Sequence, residues 1–323
     1  MKEKSPSKFQ QAITGTWHGL PSVFEHDGTH VGFNKVDRES KFEDGVTTYF
    51  MRTDFRNSGP LRYRFDLGPE EFAFGVIDSD SNRVYCGPDF MGSGRPYGLL
   101  VDSNYYSPGW NTDLRTLNLV LPEREIQVYS SELYEGPLLV AMFNGIYIVT
   151  TDHETNPETR RRVDDFIASE RVNGSKPFLL PVKAAGRWKG KLQTFDGDQQ
   201  PLGTTDVAIH YTPLTLLSAR VDLSMTGVIQ RDASFVRSRD HNAHKFEGPD
   251  VWGNGRSFGR YLFSTQHFYG EPFKLRARET LIDDRYSLCV VWQFHEGDKE
   301  RFTAFGVLEF EPGATVLEAR HAK

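Results

Sequence analysis

Apolar and polar residues alternate with period two through most of the chain, in short runs divided by Gly, Pro, Asn and Asp. In the first half TTYFMRT (47–53), LRYRFDL (61–67), FAFGVID (72–78), IQVYSSELY (126–134) and LLVAMFNGIYIV (138–149) read as strands. The second half adds VAIHYTPLTLL (207–217), ARVDLSMTGVI (219–229), RYLFSTQHF (260–268), KLRARETLI (274–282), YSLCVVWQF (286–294) and FTAFGVLEF (302–310). One stretch departs from this rhythm. In TNPETRRRVDDFIASERVNG (155–174), Val163, Phe166 and Ile167 share a helical face, Asn156 can cap, Pro157 suits the first turn and Gly174 can end it. SKPFLLP (175–181) then predicts an extended connector. The pattern is all-β and antiparallel, with six to nine strands in each unit, compatible with a sandwich or a closed barrel.

The chain also repeats itself. GPDFMGSGRPYG (87–98) returns as GPDVWGNGRSFG (248–259), sharing its glycines, Pro88/Pro249, Asp89/Asp250 and Arg95/Arg256. The same displacement pairs Ser103/Ser264, Gly109/Gly270, Leu114/Leu275, Arg115/Arg276, Arg124/Arg285, Gly136/Gly297 and Gly145/Gly306. Self-similarity of this extent marks a tandem duplication. Upstream the alignment shifts and pairs Gly15, Trp17 and Gly19 with Gly186, Trp188 and Gly190, so GTWHG heads one copy and GRWKG the other.

A tryptophan flanked by glycines at the first strand is a lipocalin signature, in which the ring plugs the closed end of a barrel. Burying such a ring contributes about 4–6 kcal/mol. With this phrase at the head of both copies, and an REtLiD-type strand around Arg278, Glu279 and Asp283, the chain resembles the double-barrel lipocalin-like (calycin) proteins. Within these it resembles a cyanobacterial family grouped as a domain of unknown function, near the bilin lyases. The resemblance implies two antiparallel β-barrels in tandem, joined by a short helix and an extended linker, with boundaries at 1–152, 153–182 and 183–323. It transfers no catalytic residue.

Composition narrows the function classes. A chain of 323 residues suits two domains of about 150 residues. Net charge is −6 with 25% charged residues, which predicts neither disorder nor a nucleic-acid partner. No apolar run nears the roughly 18 residues of a membrane span, and MKEKSPSKFQQAI lacks the apolar core of a signal peptide. A soluble cytoplasmic protein without a membrane partner is expected, a homodimer being compatible. Cys86 and Cys289 sit in unlike contexts and predict neither a disulfide framework nor a zinc site.

If positions shared by the copies are architecture, function sits where they differ. Leu288, Val290, Trp292 and Phe294 form a dry face of one strand, and their first-copy counterparts are Gln127, Tyr129, Ser131 and Leu133. Buried polar groups need partners or a ligand. With Tyr105, Tyr106 and Trp110 of SNYYSPGW, this predicts an aromatic, hydroxyl-bearing cup in the first barrel. In the second copy Arg276 and Arg278 share a strand face, Glu279 takes the other, and Gln266 and His267 lie one strand earlier. Facing inward, the arginines would grip a carboxylate beside His267; facing outward, they form a solvated ladder. The duplicated glycine loop is either an anion cradle or a shaped turn. His241 and His244, in the polar stretch DHNAH, lack a third ligand and are expected in a surface loop, and Asp78 and Asp80 in IDSDSN make only half a calcium loop and are expected in a turn.

The expected function is binding of a small, largely apolar or amphipathic molecule in a barrel pocket. Conversion by a cyclase, isomerase or lyase reaction would need no metal or redox cofactor. Tyr129, Glu132 and His267 are the acid–base candidates, and Tyr105, Tyr106, Trp110, Gln127, Ser131, Arg276, Arg278 and Trp292 the ligand contacts. Two further classes remain open: a non-catalytic binder of hydrophobic molecules or tetrapyrroles (or a chromophore lyase), and a structural protein with two filled barrels.

Overall fold

A computed structural model describes residues 5–178, 185–282 and 286–313. Asp283 and most of the connector after Phe178 lie outside the described residues. The chain forms two compact units, Met1–Lys176 and Pro177–Lys323. Each is a closed antiparallel barrel of ten staves.

In the first unit, α1 (Lys8–Ala12) precedes β1 (Gly15–Gly19), β2 (Ser22–Glu25), β3 (His30–Glu43) and β4 (Val46–Asn57). After α2 (Arg62–Phe65) come β5 (Pro69–Asp78), β6 (Arg83–Cys86), β7 (Met91–Tyr97), β8 (Leu100–Ser107), β9 (Thr112–Leu121), β10 (Ile126–Glu135) and β11 (Leu138–Thr150). Both β1 and β2 pair with β3 on one side and β11 on the other, so together they are one stave broken at Leu20-Pro21. α3 (Pro157–Asn173) packs against β1 and β11. Its Asn156 side chain accepts from Glu158 N at 3.0 Å, the cap anticipated from sequence.

The second barrel runs without a break through β12 (Gly186–Asp196), β13 (Pro201–Thr215), β14 (Ser218–Gly227), β15 (Arg231–Asp240) and β16 (Ala243–Glu247). It continues through β17 (Val251–Phe258), β18 (Tyr261–Phe268), β19 (Phe273–Ile282), β20 (Ser287–Glu296) and β21 (Lys299–Pro312), which closes on β12. Ten strands exceed the six to nine anticipated, because short β6 and β16 carry too few alternating residues to read as strands. Among the described residues no helix is long and apolar enough to cross a membrane.

The LRYRFDL segment is not a strand. Its alternation places Leu61, Tyr63 and Phe65 on one strand face, yet Phe65 is 1% exposed and Tyr63 is 81% exposed. Helical spacing separates them: Leu61 and Phe65, four apart, both point inward. Asp66 fastens the turn by accepting from Asn57 N at 3.0 Å.

Both signature tryptophans are interior, Trp17 at 2% and Trp188 at 1% exposure. The flanking glycines are required sterically. A Cβ at Gly186 would lie 2.2 Å from the Phe310 ring, and one at Gly190 2.2 Å from Val307 O. The duplicated glycine loop is also construction. A Cβ at Gly92 or at Gly253 would stand 2.5 Å from the carbonyl oxygen of Asn104 or of Thr265 on the adjoining strand. Gly98 (φ 64°) and Gly259 (φ 56°) make the equivalent hairpin turns. Gly98→Ala and Gly259→Ala are each expected to cost about 1–2 kcal/mol, read as a lowered urea midpoint. Asp89 accepts from Ser107 Oγ at 3.0 Å and Gly109 N at 3.3 Å, so it braces the loop.

Candidate functional site

Inside the first barrel, β3, β9 and β10 bring polar side chains together between two apolar clusters. Phe9, Ile13 and Trp17 lie in one cluster, Phe55, Phe65 and Phe143 in the other, and Tyr129 touches both. Arg38 of β3 donates from Nη2 to Gln127 Oε1 at 2.5 Å, and Gln127 Nε2 donates to Asn118 Oδ1. Ser131 bonds Thr116 at 3.1 Å and also the Tyr129 phenol. Burial pushes the Tyr129, Tyr147 and Tyr105 phenols above their ordinary range, so at neutral pH all three remain protonated. A second polar cluster joins Asp78 and Arg83 with Tyr49, Gln10 and Ser7, both members of the ion pair being 0% exposed.

The second barrel holds a cavity of about 50 Å³. Its walls are mainly apolar and aromatic, with Trp188, Phe235, Phe246 and Trp292 among them. Four polar side chains also line it: Tyr211, Arg237, Gln266 and Glu279. Strand alternation puts Glu279 inward between Ala277 and Leu281, and Arg237 inward beside Phe235. Glu279 accepts from Trp292 Nε1 at 3.3 Å, while Trp188 Nε1 is buried without a partner among the described residues. Burial raises the Glu279 pKa against the pull of Arg237 and Trp292. Desolvation lowers that of Arg237, which the charge of Glu279 opposes. Arg237 also donates from Nε to His244 Nδ1 at 3.3 Å and lies 4.8 Å from the Phe178 ring centre.

A hollow of about 450 Å³ lies along the first turns of α3, but its lining, from Asn156 to Asp165, is wholly polar. It has no apolar wall against which a ligand could be desolvated. On the outside of the first barrel, His18 Nδ1 lies 2.6 Å from Asp37 Oδ1 and its Nε2 3.0 Å from Thr150 Oγ1. The order imitates a nucleophilic triad. However, His18 and Thr150 are buried at 2% and 4%, and the three residues come from β1, β3 and β11, so the group staples the barrel seam.

No family model matches the chain, and no curated protein does. Among solved structures, a protein of unknown function from the DUF3598 family of Nostoc punctiforme PCC 73102 covers 96% of this chain and 100% of its own. That alignment has 11% identity and a TM-score of 0.57. The chain has this double-barrel, calycin-like fold. Transferrin binding protein B of Neisseria meningitidis aligns over 92% of this chain and 76% of its own, at 7% identity and a TM-score of 0.25. A putative outer membrane protein of Bacteroides fragilis aligns over 94% and 100%, at 10% identity and a TM-score of 0.21.

Within the double-barrel calycin-like fold the sequence-derived candidates separate. Gln127, Tyr129 and Ser131 face the first interior, with Tyr105 beside the Tyr85 ring at 4.7 Å. The Trp110 ring packs at a tilt against Phe65, 4.8 Å between centres, and its carbonyl accepts from Arg64. Tyr106 is exposed. Glu132 alternates to the outer face, where it is buried and accepts from Tyr134 Oη at 2.9 Å. In the second barrel Trp292 lines the cavity, whereas His267 and Arg276 are exposed and Arg278 donates outside to Gln293 at 3.2 Å. The outward reading of the two arginines therefore holds, and His267 instead meets the exposed Trp252 ring at 6.0 Å.

His244, read from DHNAH as part of a surface loop, is a buried residue of β16, and only His241 occupies the turn. The sequence reading also passed over Arg38 and Arg237. For Arg38 a signal exists: in NKVDRESK the positions on either side of it are all charged, which turns the Val36, Arg38, Ser40 face inward.

Proposed function

We propose that the protein binds a small, largely apolar molecule inside the second barrel and rearranges it by proton transfer. The cavity lined by both Arg237 and Glu279 carries this reading, since such a site combines apolar walls with a few polar groups. At about 50 Å³ the cavity as it stands has room for only a water or two and falls below the roughly 150 Å³ that admits benzene, so binding requires side chains such as Trp188, Phe246 and Trp292 to move apart, and a tetrapyrrole would exceed it. Glu279 would take a proton from one atom of the substrate and return it to another, so that nothing is consumed. Arg237 would stabilise the negative charge that develops between these steps. An isomerase or cyclase fits this economy, and the raised Glu279 pKa suits a group that must both accept and donate.

The test compares wild type with Glu279→Gln after incubation with a hydrophobic metabolite extract. Native mass spectrometry reads retained mass, and chromatography reads isomeric product. Retention by both proteins with product from wild type alone is the expected result, at a loss of at least 100-fold in rate. Retention by neither would leave a filled structural barrel, and equal product from both would remove Glu279 from the chemistry.

A further inference from the structure

Arg38, Arg83 and Arg237 reach the barrel interiors, and they are treated differently. Arg83 forms an ion pair with Asp78 and receives support from Tyr49, Tyr85, Gln10 and Ser7. Arg237 feels the charge of Glu279 across its cavity. Arg38 has no carboxylate within ion-pair distance among the described residues. One donor goes to Gln127, and Nε is buried without a partner. The electrostatic influences on Arg38 come from Tyr49, Tyr147, Tyr105 and the like-charged Arg83.

Aromatic faces lie on several sides of the Arg38 guanidinium, the rings of Trp17, Tyr49 and Tyr147 being 5.9, 5.8 and 5.7 Å away. Ring quadrupoles offset part of a cation's desolvation, about 0.5–2 kcal/mol each. They do not neutralise a charge whose transfer from water costs several kcal/mol. The nearby phenols, kept protonated by burial, add O–H groups rather than anions. The centre of the first barrel is thus cationic, with neutral hydroxyl and amide groups around the guanidinium and no carboxylate within ion-pair distance among the described residues. Although it faces inward, Arg38 is only half-buried, so some of its surface remains accessible.

We propose that Arg38 is the docking point for the carboxylate of a small organic acid inside the first barrel. A planar guanidinium matches a carboxylate with two parallel hydrogen bonds, and the Trp17 and Tyr147 rings beside it would meet a flat or apolar body attached to that carboxylate. Gln127 holds the guanidinium in place from the far side, itself bonded to Asn118. This site shares no residue with the cavity of the second barrel, so either proposal can fail alone.

Thermal unfolding of the full chain tests it, with sodium benzoate, sodium octanoate, benzamide and sodium chloride compared at matched ionic strength. Intrinsic fluorescence, to which Trp17 is one of five tryptophan contributors, gives a second readout. At least one carboxylate is expected to raise the midpoint in a saturable manner while benzamide and chloride do not. Benzoate acting alone indicates a flat body, and octanoate acting alone an acyl chain. Arg38→Met should unfold no earlier than wild type without ligand and lose the carboxylate response. Arg38→Lys, which keeps the charge and loses the fork, should bind at least tenfold more weakly than wild type. Neither carboxylate exceeding chloride would overturn the proposal, and so would an equal response from Arg38→Met. Should Arg38→Met fail to fold, the Arg38→Lys comparison decides, and unchanged affinity there overturns it.

Discussion

Asp78→Asn is expected to destabilise the first barrel by about 3–5 kcal/mol, the usual cost of leaving one partner of a buried ion pair uncompensated. Asp78 and Arg83 are both 0% exposed and bond directly. Burial opposes the Arg83 charge, but Tyr49, Tyr85 and Asp78 outweigh it and hold its pKa above the ordinary value. The same carboxylate accepts from Ser7 N at 2.8 Å and Ser7 Oγ at 2.9 Å, tying down the segment that leads into α1. The amide keeps the shape and removes the charge, so the loss isolates electrostatics from packing. Hydrogen exchange separates the barrels: peptides from β6 and β10 should lose protection while those from β16 and β20 keep theirs. Asp78→Asn combined with Arg83→Met should recover part of the loss, because the orphaned charge is then gone. A change under about 1 kcal/mol would mean that water, not Asp78, compensates Arg83.

That pair also marks how far the sequence was legible. Asp78 and Asp80 in IDSDSN look like ligands of a partial calcium loop, yet Asp78 turns inward to Arg83 and Asp80 accepts from Lys8 N at 2.8 Å. Arg83 is Asp78's partner across the β5–β6 hairpin, but the contacts of Asp78 to Ser7 and of Asp80 to Lys8 span more than 70 positions, a separation that no local pattern encodes. Duplication, by contrast, was legible because steric demands repeat. The glycines beside Trp17 and Trp188 leave no room for a Cβ against Tyr147, Phe310 and Val307 of the adjoining strands, and Gly92 and Gly253 stand under equivalent carbonyls. Register explains the rest. Period-two alternation correctly gave β10 its inward Gln127, Tyr129 and Ser131 and put Glu279 opposite Arg276 and Arg278. Charged residues, however, were presumed to face water, and that prior hid Arg38 and Arg237. Functional sites are where such a prior fails, since they hold polarity that the core alone would not select.

His244 shows the same failure and gives the second large effect, on pH dependence. It occupies the position in the second copy that Arg83 holds in the first. Arg237 Nε can only donate, so Nδ1 of His244 is the acceptor and the ring proton sits on Nε2, which donates to Ser257 Oγ at 3.0 Å. Desolvation first, then the charges of Arg237 and Arg239, push its pKa down to about 2 from 6.5. The folded state therefore holds the ring neutral over a range where the unfolded chain binds a proton. Stability from this group is fully present above the unfolded pKa of 6.5 and is lost as pH falls below it, at about 1.4 kcal/mol per unit. Acidification by two units below that point should then cost the second barrel about 2–3 kcal/mol. Protonation would also set an imidazolium against Arg237 and place a donor where Nδ1 must accept. His244→Gln retains an acceptor without a titratable ring, and its urea midpoint should fall less steeply over the same window. If the variant and wild type lose stability in parallel, the acid sensitivity belongs to carboxylates elsewhere, and His244 is already protonated or exposed in the folded chain.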